Sequence, residues 1–122
     1  MVGYTLRFAP TVVRTRELLR QGAIGRPLFL TADVGQFLPD WRQGSDYRLG
    51  VSARRELGGG VLLELSHEID YVRWMLGEPE SVIAITGHSG VLDIDVEDSA
   101  DVLLGFPQGA RARIHLDFLE QG

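Results

Sequence analysis

Cysteine is absent from the 122 residues, and lysine is absent too, so that all twelve cationic side chains are arginine. Without cysteine there is no disulfide scaffold, no thiolate metal site and no cysteine nucleophile. Without lysine there is no Schiff base, no phosphate-binding P-loop lysine and no lysine general acid. Positive charge is also in short supply: seventeen acidic residues leave a net charge of −5. The arginines are scattered and form no basic stripe, which excludes a nucleic-acid partner. Apolar runs are broken by charges well short of the roughly 20 residues a membrane span needs. No apolar N-terminal run followed by small residues marks a signal peptide. A soluble, cytoplasmic protein is the expectation.

What remains is an ordinary globular balance, with 44% hydrophobic and 24% charged residues. At this length a single domain buries about two-thirds of its unfolded surface without disulfides or metal.

Val2 to Phe8 reads as a short extended lead-in. Pro10 suits the first turn of a helix, Val12, Val13, Leu18 and Leu19 recur at helical spacing up to Arg20, and Gly22 is a stop. Pro27 to Phe37 reads as a strand with Asp33 and Gln36 on a wetter face. Leu38 to Leu57 is a long polar connection, of a length that is functional or disordered in compact domains; Trp41 and Tyr47 argue against disorder. A helix then follows Gly58-Gly59-Gly60 and runs to about Leu76, with Gly77 and Pro79 as its stop. Ser81 to Thr86, Val96 to Phe106 and Ala110 to Phe118 are three further strands, the last two joined by a tight Pro107-Gln108-Gly109 connection. The final strand is two-sided, with Arg111, Arg113, His115 and Asp117 on one face and Ala112, Ile114, Leu116 and Phe118 on the other. The order predicts an α+β fold: an open, mainly antiparallel sheet with helices packed on one face. A strand ending just before Gly122 implies that the sheet continues in a longer parent chain.

The helix after the glycines carries the chemistry. At about 100° per residue, Leu62, Leu65, Ile69, Val72 and Leu76 fall on one stripe, while His67, Asp70, Trp74 and Leu63 cluster nearly opposite. Such a helix is covered twice, by the sheet on one side and by a cleft or a missing partner on the other. His67 and Asp70 stand one turn apart, an imidazole and a carboxylate on one face, which are the parts of an acid/base site. The bland reading is a surface histidine and a solvating aspartate. The three glycines match neither a dinucleotide fingerprint nor a P-loop.

In the long connection, Trp41, Arg42, Asp46, Tyr47 and Arg48 fit a carbohydrate site, with aromatic faces to stack on a ring and charged groups to bond hydroxyls; equally, they fit a loop pinned by two buried aromatics. Arg7 reads as an ion-pair residue of the lead-in rather than a ligand. Asp93, Asp95, Glu97 and Asp98 resemble a calcium loop only superficially, because Asp98 stands where a glycine belongs and Leu104 where a glutamate belongs. They read as a solvated acidic turn. No H-E-x-x-H or second histidine at metal spacing exists, so no metal is expected. Ser66 beside His67 points about 100° away and makes no nucleophile-base pair.

The combination of Gly58-Gly59-Gly60, His67-x-x-Asp70, Trp74, Leu76-Gly77-Glu78-Pro79 and Val82 resembles the C-terminal domain of the glucose-fructose oxidoreductase/inositol dehydrogenase/MocA family. Gly3 to Pro10 is similar to the segment by which that family's chain leaves its nucleotide domain. Val96-Glu97-Asp98-Ser99-Ala100 and Phe106-Pro107-Gln108-Gly109-Ala110 resemble its later strands and hairpin, so the likeness covers nearly the whole chain. It implies that His67 and Asp70 relay or hold the proton leaving a sugar or polyol hydroxyl. The candidate substrate-binding residues are Trp41, Arg42, Tyr47 and Arg48 of the long connection, with Glu64.

Two departures stand out. The family commonly has Asp four residues before the His, whereas Glu64 stands three before His67, and alignment on the glycines would put Glu68 at the His position. The glycine-rich nucleotide fingerprint and a catalytic Glu-Lys-Pro lysine have no counterpart. The resemblance therefore implies that residues 1–122 are the substrate-binding and dimerisation domain of an NAD- or NADP-dependent oxidoreductase. The cofactor would be held by a Rossmann domain of the parent chain, with none on this chain, which would be inactive alone. A homodimer would form through the face bearing Arg111, Arg113, His115 and Asp117. The alternative is a non-catalytic α+β dimerisation or ligand-binding module.

Overall fold

Pro10, with its fixed φ and missing N–H, opens helix α1, Pro10–Arg20, and Gly22 closes it. Gly22 takes φ 70°, its N–H donates to Leu19 O, and Ala23 N–H donates back to Leu18 O, which satisfies the last carbonyls of the helix. The computed structural model describes residues 3–121. Within them, strand β1, Phe29–Gly35, follows α1, and helices α2, Val61–Glu64, and α3, Ser66–Leu76, follow the long connection. Strands β2, Ser81–Gly87, β3, Ser99–Gly105, and β4, Arg111–Asp117, complete the chain.

The four strands lie in the order β1-β4-β3-β2. The β2·β3 and β3·β4 pairings are antiparallel and β1·β4 is parallel, from Phe29 opposite Arg111 to Gly35 opposite Asp117. The sheet is thus open and mainly antiparallel, as the strand order implied. Gly109, at φ 86°, donates its N–H to Phe106 O and makes the tight β3–β4 turn.

The alternation in β4 builds the core. Ala112, Ile114, Leu116 and Phe118 are all completely buried, against Val61, Leu65 and Val72 of the helices and Ala100, Val102 and Leu104 of β3. Burying each of the large aliphatic side chains stabilises the fold by about 1.5–3 kcal/mol. On the opposite face of the sheet Arg111, Arg113, Asp101 and Leu103 are exposed. The helices stop short of edge strand β2, where Val82, Ile83 and Ile85 are all exposed.

Several local expectations are corrected. The lead-in is a one-turn 3-10 helix over Thr5–Phe8 and not extended, closed by Arg7 N–H to Tyr4 O and Ala9 N–H to Leu6 O; Val2 lies outside the described residues. The long connection is ordered as four single 3-10 turns, starting at Leu38, Tyr47, Val51 and Arg55. The helix expected from the glycines to Leu76 is broken at Leu65, which takes φ −101° and ψ 22°. There Ser66 Oγ donates to Leu63 O, diverting that carbonyl from the helical ladder.

Strands β1 and β3 are shorter than their apolar patterns. Val96 to Asp98 stays outside β3 because its polar groups are used elsewhere: Glu97 O accepts from Val61 N–H, and Asp98 N–H donates to Gly87 O. The acidic turn is correspondingly not simply solvated. Asp98 is fully buried and accepts Ser89 N–H at 2.9 Å and Ser89 Oγ–H at 2.6 Å, and Asp95 Oδ1 accepts Arg55 N–H. Of the four, Asp93 and Asp95 are exposed, Asp93 with its side chain 81% exposed.

Candidate functional site

The break at Leu65 gives α2 and α3 separate helical phases, so a single wheel over Val61 to Leu76 does not apply. The core stripe survives it: Leu65, Val72 and Leu76 are buried, and Leu62 and Ile69 pack against them. The second face is covered in part: the lead-in and α1 of this chain pack on Asp70 and Trp74, while Leu63 is exposed. Arg7 Nε donates to Asp70 Oδ2 at 2.7 Å and Nη2 donates to Oδ1 at 2.6 Å, a two-pronged ion pair. Asp70 raises the Arg7 pKa, chiefly through these hydrogen bonds. The Arg16 guanidinium lies 4.1 Å from the centroid of the Trp74 ring, and its Nε donates to Trp74 O. Arg7 is therefore the ion-pair residue the sequence indicated.

Asp70 and His67 are not partners in this geometry: both Asp70 oxygens are turned to Arg7. The imidazole turns instead toward the next residue: His67 Nε2 lies 2.8 Å from Glu68 Oε2. The contact is close but misaligned, and Glu68 Oε2 is left buried without a hydrogen bond. Burial pushes the Glu68 carboxyl above the ordinary glutamate value, with His67 opposing the shift. Burial likewise raises the Tyr71 hydroxyl, with Glu68 adding to it. Sequence reasoning met Glu68 only as an alignment alternative, although it stands one turn before buried Val72 on the same helix, at the edge of the core stripe.

His67 is one-third exposed and opens into a cleft of about 340 Å³ lined by Tyr4, Thr5, Leu6, Leu63, Glu64 and Ser66. The structure thus brings Glu64 and His67 together across the helix break. A second pocket, of about 270 Å³, is lined by Trp41, Arg42 and Tyr47 with Leu38, Ser45, Asp46, Leu49, Gly50 and Ser52. Trp41 is held edge-on to Phe118, with ring centroids 5.3 Å apart, and its indole Nε1 is buried without a partner. The Tyr47 hydroxyl accepts Asp93 N–H. These aromatics therefore both pin the connection and line a pocket.

Arg48 stands apart from that pocket. Its guanidinium is clamped on Asp46, with Nη2 to Oδ2 at 2.7 Å, and lies 3.6 Å from Asp93. The clamp holds the Asp46 carboxyl below its ordinary value and the Arg48 guanidinium above its own.

The Gly58-Gly59-Gly60 turn does not fit a dinucleotide. The amides that would cradle a phosphate at the start of α2 are engaged, Val61 N–H by Glu97 O at 3.1 Å and Leu62 N–H by Glu97 Oε1 at 3.3 Å. A carboxylate already seated there repels a second anion. The glycines serve close packing instead: a Cβ on Gly59 would lie 2.7 Å from Ser52 O, and one on Gly60 would collide with the Glu97 carboxylate.

Residues 12–122 match the family model described as the GFO/IDH/MocA C-terminal domain. The chain is 32% identical over 118 residues to 2,7-anhydro-N-acetylneuraminate hydratase of Escherichia coli K12, covering 93% of this chain and 30% of that protein. It is 27% identical over 134 residues to levoglucosan dehydrogenase of Pseudarthrobacter phenanthrenivorans, covering 90% of this chain and 34% of that one. Its fold superimposes on the WlbA dehydrogenase from Bordetella pertussis, solved with NADH and UDP-GlcNAcA, with a TM-score of 0.81 and 26% identity over 98% of this chain and 36% of that one. The chain spans about a third of the length of these relatives.

Proposed function

The chain belongs to the GFO/IDH/MocA C-terminal domain family, and from that membership we propose that it is the substrate-binding domain of a cytoplasmic NAD- or NADP-dependent oxidoreductase. Its substrate is a sugar, a polyol or a related hydroxy compound, and the domain is inactive alone. The observation that carries this reading is the placement of His67, part exposed at the mouth of a cleft beside Glu64 and opposite Tyr4 to Leu6. When a hydroxyl-bearing carbon is oxidised, its O–H proton must leave. A neutral imidazole within reach accepts it and returns it in the reverse direction.

Trp41, Arg42 and Tyr47 supply what a sugar requires of a protein, an aromatic surface with charged and hydroxyl groups beside it, and Glu64 offers a hydroxyl acceptor within the His67 cleft. Arg48 contributes by fixing the loop through Asp46. Asp70 acts through Arg7, clamping α3 to the lead-in. The nucleotide cofactor belongs to a Rossmann domain of the parent chain, in keeping with the occupied amides after Gly60. Homodimerisation through the open face of the sheet is part of the proposal, supported by the mixed charges of Arg111, Arg113, His115 and Asp101 beside exposed Leu103, Ile83 and Ile85.

Turnover of the full-length enzyme tests the reading. His67→Ala lowers kcat by about 10² to 10⁴, the ordinary worth of a general acid/base. Asp70→Asn costs less. An unchanged kcat in the His67 variant with a competent substrate rejects the assignment.

A further inference from the structure

Resting on the reading of His67 as the acid/base group, we infer that Glu68, and not Asp70, is the carboxylate that positions it. The competing carboxylate is excluded by geometry. Both Asp70 oxygens are bound by Arg7 at 2.6 and 2.7 Å, the side chain is only 9% exposed, and the two-pronged pair fixes its plane toward the lead-in, while the imidazole contacts Glu68 instead. Glu68 is in the opposite condition. It is nearly as buried, its Oε2 has no hydrogen bond, and His67 Nε2 lies 2.8 Å from that oxygen.

A buried acceptor without a partner is costly, and folds keep one mainly where it is used. The use available here is to accept a proton of His67. The misalignment does not argue against it, since such hydrogen bonds are commonly long or bent before substrate binds and tighten in the complex. A small rotation of the imidazole aligns Nε2–H with Oε2. The carboxylate then fixes which ring nitrogen carries the proton and leaves the other free to face a substrate hydroxyl.

The titratable groups around the pair are few. His67 acts on Glu68, and Glu68 acts on Tyr71 one turn along the same helix. From the neighbouring elements, Tyr4 of the lead-in and Glu64 of α2 line the cleft with His67. Burial keeps the Glu68 carboxyl weaker as an acid than usual, so it shares a proton with the imidazole more readily than an exposed glutamate does.

Two readouts test this. Nitrogen-15 NMR of the His67 imidazole in this chain reports the tautomer and its response to pH. Kinetics of the full-length enzyme report the pH profile. Glu68→Gln is expected to change the His67 resonances, lower kcat about 10- to 100-fold as the loss of an orienting partner does, and displace the pH profile. Asp70→Asn should leave the resonances and the profile in place. Should Glu68→Gln fail to fold, Glu68→Asp, which withdraws the carboxylate by one methylene, must move the same resonances. Unmoved resonances in a folded Glu68 variant, or equal movement in Asp70→Asn, overturns the inference. If His67→Ala abolishes turnover while Glu68→Gln changes neither readout, this inference alone fails; if His67→Ala retains full turnover, the acid/base reading fails and takes this one with it.

Discussion

Arg7 and Asp70, 63 residues apart in sequence, are joined by two charge-assisted hydrogen bonds that fasten the lead-in to α3. The pair is asymmetric, since the Arg7 side chain is 39% exposed and Asp70 only 9%. Removing the arginine leaves a buried carboxylate without its donors, whereas removing the carboxylate lets the guanidinium return to water. Arg7→Ala should therefore lower the melting temperature more than Asp70→Asn. The double variant should lie well above the sum of the two losses. Thermal unfolding of the three variants measures this; additive losses would show that the two side chains do not act on each other.

Two adjacent glycines separate packing from backbone strain. Gly59 is in an ordinary backbone region, but its Cα faces the backbone of Val51 and Ser52, with Ser52 O 2.7 Å from an added Cβ. Gly58 has open space and a left-handed φ of 82°. Gly59→Ala should destabilise by about 1–3 kcal/mol through overpacking against atoms that cannot swing away. Gly58→Ala should cost about 1–2 kcal/mol from conformation alone. Urea unfolding measures the two losses, and crystal structures separate their causes: the Gly58 variant should keep the turn in place, and the Gly59 variant must shift it.

What was legible in the sequence is what local chemistry decides. Pro10 and Gly22 bounded α1, the β4 alternation identified four core residues, and Pro107-Gln108-Gly109 marked the hairpin. What was not legible depends on residues far apart. The parallel β1·β4 pairing, the capture of Asp70 by Arg7 and the use of Glu97 to cap α2 have no signature in any local window. The break at Leu65 lies between these cases. Ser66 could divert a helical carbonyl, yet a serine within an apolar periodic run is usually tolerated, so period alone gave one continuous helix. The break leaves His67 and Asp70 one turn apart within α3; what separates them is the capture of Asp70 by Arg7.

His115 couples the sheet to pH. Its Nδ1 lies 2.9 Å from Asp101 Oδ1 and its Nε2 3.2 Å from Asp117 Oδ2. The hydrogen bond to Asp101 raises its pKa; burial opposes this, and the charges of Asp101, Asp33 and Asp117 add to it. A histidine held above its unfolded value of about 6.5 contributes stability that is complete below that pH and is lost as pH rises through the folded value. The melting temperature should therefore fall as pH rises above about 6.5. The fall should be smaller in His115→Gln. Equal slopes in the two proteins would remove His115 from the account.

The open face of the sheet offers the surface for self-association. Helices cover only one side, so Arg111, Arg113, Asp101 and Leu103 face outward in register on β4 and β3, and Ile83 and Ile85 continue that face onto β2. Arg111 and Arg113 lie toward one end of that face and Asp101 toward the other, so the face can complement its own two-fold copy, as an isologous contact requires. The exposed aliphatic side chains supply apolar area that charge alone does not. An alternating strand facing water accounts for the charges equally well and predicts a monomer. It leaves the aliphatic row unexplained, since soluble chains ordinarily blunt an edge strand such as β2 with charge. Sedimentation at micromolar concentration should give a species of twice the 13.5 kDa chain mass. Arg113→Glu should return it to the monomer by reversing the central charge on β4. A single-chain mass throughout rejects the dimer, and a dimer that survives Arg113→Glu rejects this face as its interface.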